Sequence, residues 1–386
     1  MSRLSRMVLW ALTIMATAAT AYAAVRLTQR QRSRPDAAWV QAALTTAEYP
    51  ALRGAQTGRV LTADGWVAIR AEAYHQGGRW RYDYEAGPCA GHSLVLTART
   101  AAEPALVQAV DHAARAVIPA GAVGGPQPVG ALLRNYEAVV LGADQVAGRS
   151  AHVIELRSRH RGTVAARIWL DAQTRVPLRT ATCNADGRLV AASWFTTIEY
   201  GDGPAAGLLG AAPGYRTIPA DTTVEHTQSP ESLQRELGFA PVTPAPVGDG
   251  FARAGTYHYR CRGGNNHAEF RYEDGLRTVS VFEARRRYRS GRGGCDQPGR
   301  GLGRGAGGGG RRADQWGFSE QDRAQVVDWG LTRGVRAMQG EFRVVVIGDL
   351  PTERLSALAE DTARKLESAN APLVSVDEPA QRGDDA

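Results

Sequence analysis

The chain has 386 residues, enough for two or three domains, with 43% hydrophobic and 22% charged residues. This ordinary globular composition excludes wholesale disorder and a collagen-like structure. A polytopic membrane protein is excluded because only one apolar stretch approaches membrane-spanning length. Lys and Arg together number 46 against 39 Asp and Glu, which gives a net charge of +7. The basic residues are almost all arginine, a bias that a GC-rich genome explains more simply than phosphate recognition does.

The first 25 residues have the layout of an export signal. Arg3 and Arg6 precede an apolar run from Met7 to Val25, and the Ala-Tyr-Ala sequence at 21–23 fits a cleavage site with small residues. The run is also long enough for an uncleaved anchor, although its low leucine content favours cleavage. We therefore expect residues 1–25 to be a signal peptide or membrane anchor, and the rest of the chain to work in the periplasm or outside the cytoplasm.

Residues 35–200 are patterned for a strand-rich domain. Helices are predicted from Pro35 to Tyr49 and from Glu103 to Val117, where apolar residues recur every three or four positions. Between them, alternating residues separated by glycine-containing turns indicate hairpins. From Tyr136 to Tyr200 five short strands follow one another without a helix, which favours an antiparallel meander over a doubly wound parallel sheet.

The composition changes after Gly201, and residues 201–250 are predicted to be a linker rich in Gly, Ala and Pro. A second domain at 251–376 has predicted strands and a closing helix that Thr352 caps. Its Arg/Gly-rich insertion at 285–312 is predicted to be disordered, because it has too little apolar surface to offset the entropy of ordering its backbone. The insertion resembles nucleic-acid-binding tracts, but an exported protein meets no nucleic acid; a solvated loop is favoured, with anionic lipid headgroups as the alternative contact.

Cysteines of an exported protein are candidates for disulfides. The sequence allows three pairings, and a two-domain chain favours one bridge within each domain. In that arrangement Cys89 pairs with Cys183, and Cys261 pairs with Cys295. His258, Cys261 and His267 lack the compact spacing of a zinc site, so no metal and no other cofactor is predicted.

The chain contains no G-x-S-x-G elbow, P-loop or H-E-x-x-H pattern, so it is not predicted to be an enzyme. A sheet that bends into a half-barrel leaves a concave apolar face, the usual form of a ligand site. Aromatic residues in the predicted strands are candidates for lining it, although they could equally fill the core. The six candidates are Trp66, Trp80, Tyr82, Tyr84, Trp169 and Trp194.

Segments in both halves resemble the MucB/RseB family of extracytoplasmic sigma-factor regulators. Ala147 to Tyr200 contains an Ala-Gly-Arg start, a Trp-Leu-Asp strand end, a Pro-Leu-Arg return strand and an Asp-Gly hairpin. Gly330 to Ala363 resembles the closing strand, turn and helix of the family. Phe270 to Ala284 resembles its aromatic-x-Asp-Gly-Leu-x-x-x-Ser-Val-Phe signature, which here comprises Asp274, Gly275, Leu276, Ser280, Val281 and Phe282.

This resemblance implies an α+β fold. An N-terminal antiparallel half-barrel with covering helices, similar to the lipoprotein carrier LolA, would precede a smaller α+β C-terminal domain. It also implies a regulator of envelope-stress signalling that binds the extracytoplasmic part of a membrane-bound anti-sigma factor and senses a lipid or apolar peptide. A lipid or lipoprotein carrier that uses the same cavity is the alternative function.

Overall fold

The computed structural model describes residues 39–40, 43, 49–97, 105–123, 129–201, 206–210, 214–217, 222–226, 230–261, 266–285, 324–328, 330 and 332–371. The predicted export segment, the Arg/Gly-rich insertion beyond Arg285, and Cys295 lie outside these residues. In the part of the chain that is described, no helix combines the length and the apolar character needed to cross a membrane.

The first sheet occupies the N-terminal half. Its strands are β1 (Leu52–Thr62), β2 (Gly65–Gln76), β3 (Arg79–Ala86), β4 (His92–Thr97), β5 (Ala105–Asp111), β6 (Ala116–Val123), β7 (Tyr136–Val146), β8 (Arg149–Ser158), β9 (Val164–Asp171), β10 (Pro177–Cys183), β11 (Leu189–Phe195), β12 (Glu199–Tyr200) and β13 (Arg216–Thr217). They run in the order β13-β6-β5-β4-β3-β2-β1-β11-β10-β9-β8-β7, with β12 also paired to β1. Because β13 and β7 at the two ends do not pair, the sheet is open, as expected for a half-barrel.

Cross-strand register gives this sheet an inner and an outer face. Gln56 pairs with Ala71 and Phe195, and Ala71 pairs with Tyr84, so these side chains share the inner face. Residues one position along each strand lie on the outer face, because successive side chains of a strand alternate.

Helical residues cover one part of the inner face, which confirms the predicted covering helices. Val40 and Ala43 are helical, and helix α1 spans Val129–Asn135. They pack on β8 and β9 in one buried cluster with residues such as Leu132, Ile154 and Ile168. The rest of the inner face, over β1 to β4, has no such helix among the described residues.

The helix predicted from Glu103 to Val117 is wrong. The segment forms β5 and β6, which pair as a hairpin around a turn in which Arg115 has a φ of 47°. Val107, Val110 and Ala116 are almost fully buried. Tertiary packing of the β-branched valines against β4 outweighs the weak helical periodicity.

The second sheet has the order β14-β15-β16-β17-β20-β19-β18 and is antiparallel throughout its described pairs. Helix α2 spans Pro230–Leu237, and helix α3 spans Thr352–Ala369. Leu355, Leu358 and Leu366 of α3 are buried against the sheet, as its spacing predicts. The strands are β14 (Thr222–His226), β15 (Ala252–Cys261), β16 (His267–Glu273), β17 (Thr278–Arg285), β18 (Ala324–Asp328), β19 (Arg333–Gln339) and β20 (Phe342–Gly348).

Two details differ from the sequence-based expectation for this half. Thr352 is the first residue of α3 rather than its cap, and Pro351 precedes it without a side-chain capping bond. The predicted linker at 201–250 contributes β13 to the first sheet and β14 to the second. The domain limits 35–200 and 251–376 stay predictions.

Candidate functional site

An open trough lies on the uncovered part of the inner face. Its floor is made of small residues, among them Gly58, Ala71 and Ala191, and the space above it is about 960 Å³ including the open mouth. A Cβ atom at Gly58 would lie 2.6 Å from the carbonyl oxygen of Ala192 on the neighbouring strand. Glycine at this position therefore lets β1 approach β11 closely and keeps the floor low.

Aromatic side chains of β3 form one wall of the trough. Trp80, Tyr82 and Tyr84 alternate along the strand and all line the space. The rings of Trp80 and Tyr82 stack with centroids 5.8 Å apart. Burial raises the pKa of the Tyr82 hydroxyl, so this wall is uncharged. Three of the six predicted pocket residues are thus brought together, with Phe195 on the opposite side.

The other three predicted residues do not line the trough. Arg179 pairs with both Trp169 and Trp194 on the outer face, and its guanidinium lies 4.4 Å and 6.0 Å from the two ring centroids. The indole Nε1 of Trp169 donates to Asp144 at 2.8 Å. Trp66 is 42% exposed. The prediction that these tryptophans face the cavity is wrong, because the strand register places them one position away from the inner face.

Polar groups in the trough were not anticipated from the sequence. Gln56 lines the space, and its amide makes no hydrogen bond to any described residue. The hydroxyls of Thr180 and Ser193 lie 3.0 Å apart and also line it. The spacing Gly54-x-Gln56-x-Gly58 places the glutamine on the same face of β1 as two glycines, which is the signal that could have revealed it.

The Cys89–Cys183 disulfide is absent, since both cysteines are free. Cys89 packs in the core beside Tyr84 and Leu94, and burial raises the pKa of its thiol to about 11. Cys183 lies instead at the end of β10, where its carbonyl is 3.5 Å from a nitrogen of Arg277 in the second domain. Within the described residues, no group of three or more His, Cys, Asp or Glu side chains is arranged to hold a metal ion.

The turn between β16 and β17, residues 274–276, inserts into the first domain and is called the wedge below. Tyr136 donates its hydroxyl proton to Asp274 at 2.5 Å, and the Asn135 amide donates to the Asp274 carbonyl at 2.8 Å. Gly275 has a φ of +97°, and a Cβ there would lie 2.3 Å from the backbone nitrogen of Leu132. Leu276 packs into the buried cluster beneath α1. The Asp-Gly-Leu sequence at 274–276 therefore joins the two domains.

Ion pairs surround this wedge. Arg277 lies 2.9 Å from Asp349, which in turn accepts a hydrogen bond from the backbone of Ala185 at 2.8 Å. Asp249 contacts Arg161 of the first domain and Arg354 of α3. Burial raises the pKa of the carboxyl groups of Asp274 and Asp349, while hydrogen bonds from the two arginines lower the pKa of Asp249 against the opposing effect of burial. Charge and burial together fix the orientation of the domains.

The remaining signature residues support the second sheet. Ser280 donates to Glu269 at 2.6 Å, and Val281 is fully buried in the core. The ring of Phe282 meets that of Tyr259 edge-on at 5.7 Å. These contacts assign the three residues a structural position away from the trough.

One Ser–His contact could suggest an enzyme. The Oγ atom of Ser93 lies 2.5 Å from Nε2 of His112. Ser93 is only 1% exposed, however, and its hydroxyl is also bonded to Asp83 and Arg81. A nucleophile needs access to its substrate, so this cluster is a buried polar network of the sheet.

The fold is that of a two-domain protein in which an open half-barrel, with a floor of small residues, packs against an α+β domain. A family model described as the MucB/RseB N-terminal domain matches residues 95–226. The chain is also 32% identical over 133 residues to the sigma factor AlgU regulatory protein MucB of Pseudomonas aeruginosa, an alignment that covers 31% of this chain and 42% of that relative. Residues 95–226 are therefore similar to the N-terminal domain of the MucB/RseB family.

Solved structures of MucB are similar to the chain over most of its length. In the complex of MucA and MucB from Pseudomonas aeruginosa, the matched chain is 17% identical, with 80% of this chain and 91% of that chain covered and a TM-score of 0.48. A structure of MucB in complex with MucA(peri) is also 17% identical, with 80% and 92% covered and a TM-score of 0.46.

Proposed function

We propose that the chain is a non-enzymatic regulator of a sigma factor, and that it acts by binding the extracytoplasmic part of a membrane-bound anti-sigma factor. The observation that carries the proposal is the match to a family whose member in Pseudomonas aeruginosa is named a sigma factor regulatory protein. Because the alignment spans only 42% of that relative, the partner is a proposal for this chain.

The geometry is consistent with a binding role. Two domains held by a buried turn and several ion pairs offer a partner one composite surface whose parts do not need to be ordered on binding. The export signal expected at residues 1–25 supports a position of this surface outside the cytoplasm, on the side where an anti-sigma factor exposes its extracytoplasmic part.

The direct test is recovery of the partner from membranes. The full chain, expressed with its own N-terminal segment and a C-terminal affinity tag, is purified from solubilised membranes, and bound proteins are identified by mass spectrometry. We expect a single-span membrane protein whose cytoplasmic part binds a sigma factor. Recovery of no such protein, from cells that contain the tagged chain in normal amount, would contradict the proposal.

A matched pair of variants makes this test sharper. Gly275→Ala disturbs the wedge between the domains, whereas Gly65→Ala changes a glycine of similar φ with no atom near its Cβ position. If the partner uses the composite surface, Gly275→Ala loses the partner and Gly65→Ala retains it. Equal retention by both variants would argue that one domain alone binds.

The trough favours a second candidate function, a carrier or sensor of lipid or lipoprotein. Its aromatic wall, low floor and open mouth are features of sites for apolar ligands. Organic extraction of the purified chain followed by mass spectrometry is expected to release an acyl compound. A ligand-free protein that also moves no lipid between vesicles would exclude this candidate without affecting the first.

A further inference from the structure

We propose that the trough takes an acyl chain by way of an uncharged polar group, such as an amide or ester, which Gln56 and the hydroxyls of Ser193 and Thr180 bind. This inference rests on the second proposed function, the trough as a site for an apolar ligand, and it names the ligand chemistry. It does not depend on the anti-sigma partner.

Gln56 is placed to bind a ligand rather than to stabilise the sheet. Its side chain rises from the floor between Gly54 and Gly58, with Ala71 on one neighbouring strand and Phe195 on the other. The amide offers two donors and an acceptor, and none is used by the described residues. An amide in an apolar groove gains free energy when a ligand satisfies it.

A hydroxyl pair adjoins this amide. Ser193 pairs with Gly58, so its hydroxyl lies diagonally across the floor from Gln56, and Thr180 pairs with Ser193 on the next strand, β10. Diagonal neighbours in a sheet are roughly 7–8 Å apart at Cα, a span that a glutamine side chain and a small ligand group can bridge. Since one hydroxyl donates to the other at 3.0 Å, the pair keeps one free proton and free lone pairs.

Among the described residues that border the trough, no cationic side chain faces the position of an anionic headgroup. The charged residues bordering the trough, among those described, are Arg59 and Arg179. Register turns both side chains to the outer face, where Arg59 lies 4.7 Å from the ring centroid of Trp66 and Arg179 lies between two tryptophans. A phosphate or carboxylate beside Gln56 would therefore be buried without a partner, which is costly.

A peptide fits the trough less well than an acyl chain. The strands of the floor, β1, β2 and β11, are paired on both sides, so their backbone groups are already hydrogen-bonded. A bound peptide needs a partner for each of its own amide groups, which strand addition at a free edge would supply. The trough supplies one compact set of neutral side-chain groups, which matches a single amide or ester at the end of an apolar chain.

Isothermal titration of the full chain with four ten-carbon probes tests the proposal: decanamide, methyl decanoate, decanoate and decyl phosphate. We expect the two neutral probes to bind at least about tenfold more tightly than the two anions. Gln56→Leu should weaken decanamide binding about tenfold and reduce the difference in affinity between decanamide and the two anionic probes. Arg179→Gln, a change on the outer face of the neighbouring region, should leave all four affinities unchanged.

Tighter binding of the anions, or a loss of anion binding in Arg179→Gln, would overturn the proposal in favour of ionic headgroup recognition. Binding of none of the probes would overturn it as well, while recovery of an anti-sigma factor from membranes would still support the main function. Thermal melting confirms that each variant is folded, and Ser193→Ala replaces Gln56→Leu if the latter is not.

Discussion

The trough and the domain interface both involve the first sheet, yet their polar groups are hydrogen-bonded to different extents. At the interface, the polar side chains of Tyr136, Asn135 and Asp274 are bonded to one another or to backbone groups. In the trough, Gln56 has no bond to a described residue, and Tyr84 makes none through its hydroxyl. These interface groups are therefore satisfied within the chain, whereas Gln56 and Tyr84 keep hydrogen-bonding groups that no described residue uses.

Gly275→Ala, at the domain interface, is expected to change the free energy of unfolding more than any other substitution discussed below. Its positive φ and the 2.3 Å approach to Leu132 leave no room for a methyl group, so we expect a loss of about 3 kcal/mol or more in the free energy of unfolding. Gly65→Ala has a φ of +109° but no atom within 4 Å, and should cost only about 1 kcal/mol of backbone strain. Urea unfolding measures both; similar losses would show that the wedge is loosely packed.

Glu273, next to the wedge, should make stability depend on pH. Burial raises the pKa of its carboxyl group to about 7, with the charges of Glu269 and Asp274 adding to the shift and Arg271 opposing it. The folded chain therefore binds a proton that the unfolded chain releases near pH 4.3, so this group lowers stability as the pH rises from about 4 to 7. Glu273→Gln should be more stable than the parent by about 3 kcal/mol at pH 8 and equal to it near pH 4.

Glu155 of the first sheet provides a control, because the pKa of its carboxyl group is shifted in the opposite direction from that of Glu273. Hydrogen bonds from Arg167 and Arg157 lower the pKa of Glu155, although burial opposes them. Glu155→Gln should therefore destabilise the chain at pH 8, and the difference should vanish in acid. Denaturant titrations at pH 4, 6 and 8 compare the two variants, and a gain for Glu273→Gln that is constant with pH would rule out titration as its cause.

Two tyrosine hydroxyls give a smaller and directly matched comparison. Tyr136→Phe removes a buried hydrogen bond to Asp274 and should cost about 1–2 kcal/mol. Tyr84→Phe removes a hydroxyl with no bond to a described residue and should change the free energy of unfolding by less than about 0.5 kcal/mol. Equal effects of the two changes would contradict the distinction between the hydrogen-bonded hydroxyl of the interface and the unbonded hydroxyl of the trough.

Gln56→Leu is expected to have the smallest effect on stability, within about 0.5 kcal/mol, because its amide contributes no internal bond. The same variant is expected to reduce binding of a neutral acyl probe. Chemical unfolding and ligand titration of one preparation compare the two properties. A large loss of stability would show that the amide is a structural group after all.

Much of this arrangement was predictable from the sequence, because alternation within a strand is a local property. It identified the meander after Tyr136, and it grouped Trp80, Tyr82 and Tyr84 on one face. Which face of the sheet a side chain occupies depends on cross-strand register, and Trp169 and Trp194 both pair with Arg179, one position away from the inner face. Trp169 and Trp194 were misplaced for that reason.

Long-range contacts were the other source of error. The separation of Cys89 from Cys183 follows from the fold of the whole sheet and leaves no trace in residue spacing. The same holds for the wedge: the Asp-Gly pair predicted a turn, but only the packing of α1 shows why this turn needs glycine.

The wedge also bears on how the chain reaches its native state. Leu276 completes a hydrophobic cluster whose other members are encoded well before it, so the half-barrel is finished only after the β16–β17 hairpin has been synthesised. During translation the early strands are synthesised before Leu276, and their apolar surface stays accessible to chaperones until that residue packs against them. The two halves should consequently melt in one cooperative transition, and a gene truncated between them should yield an unstable product.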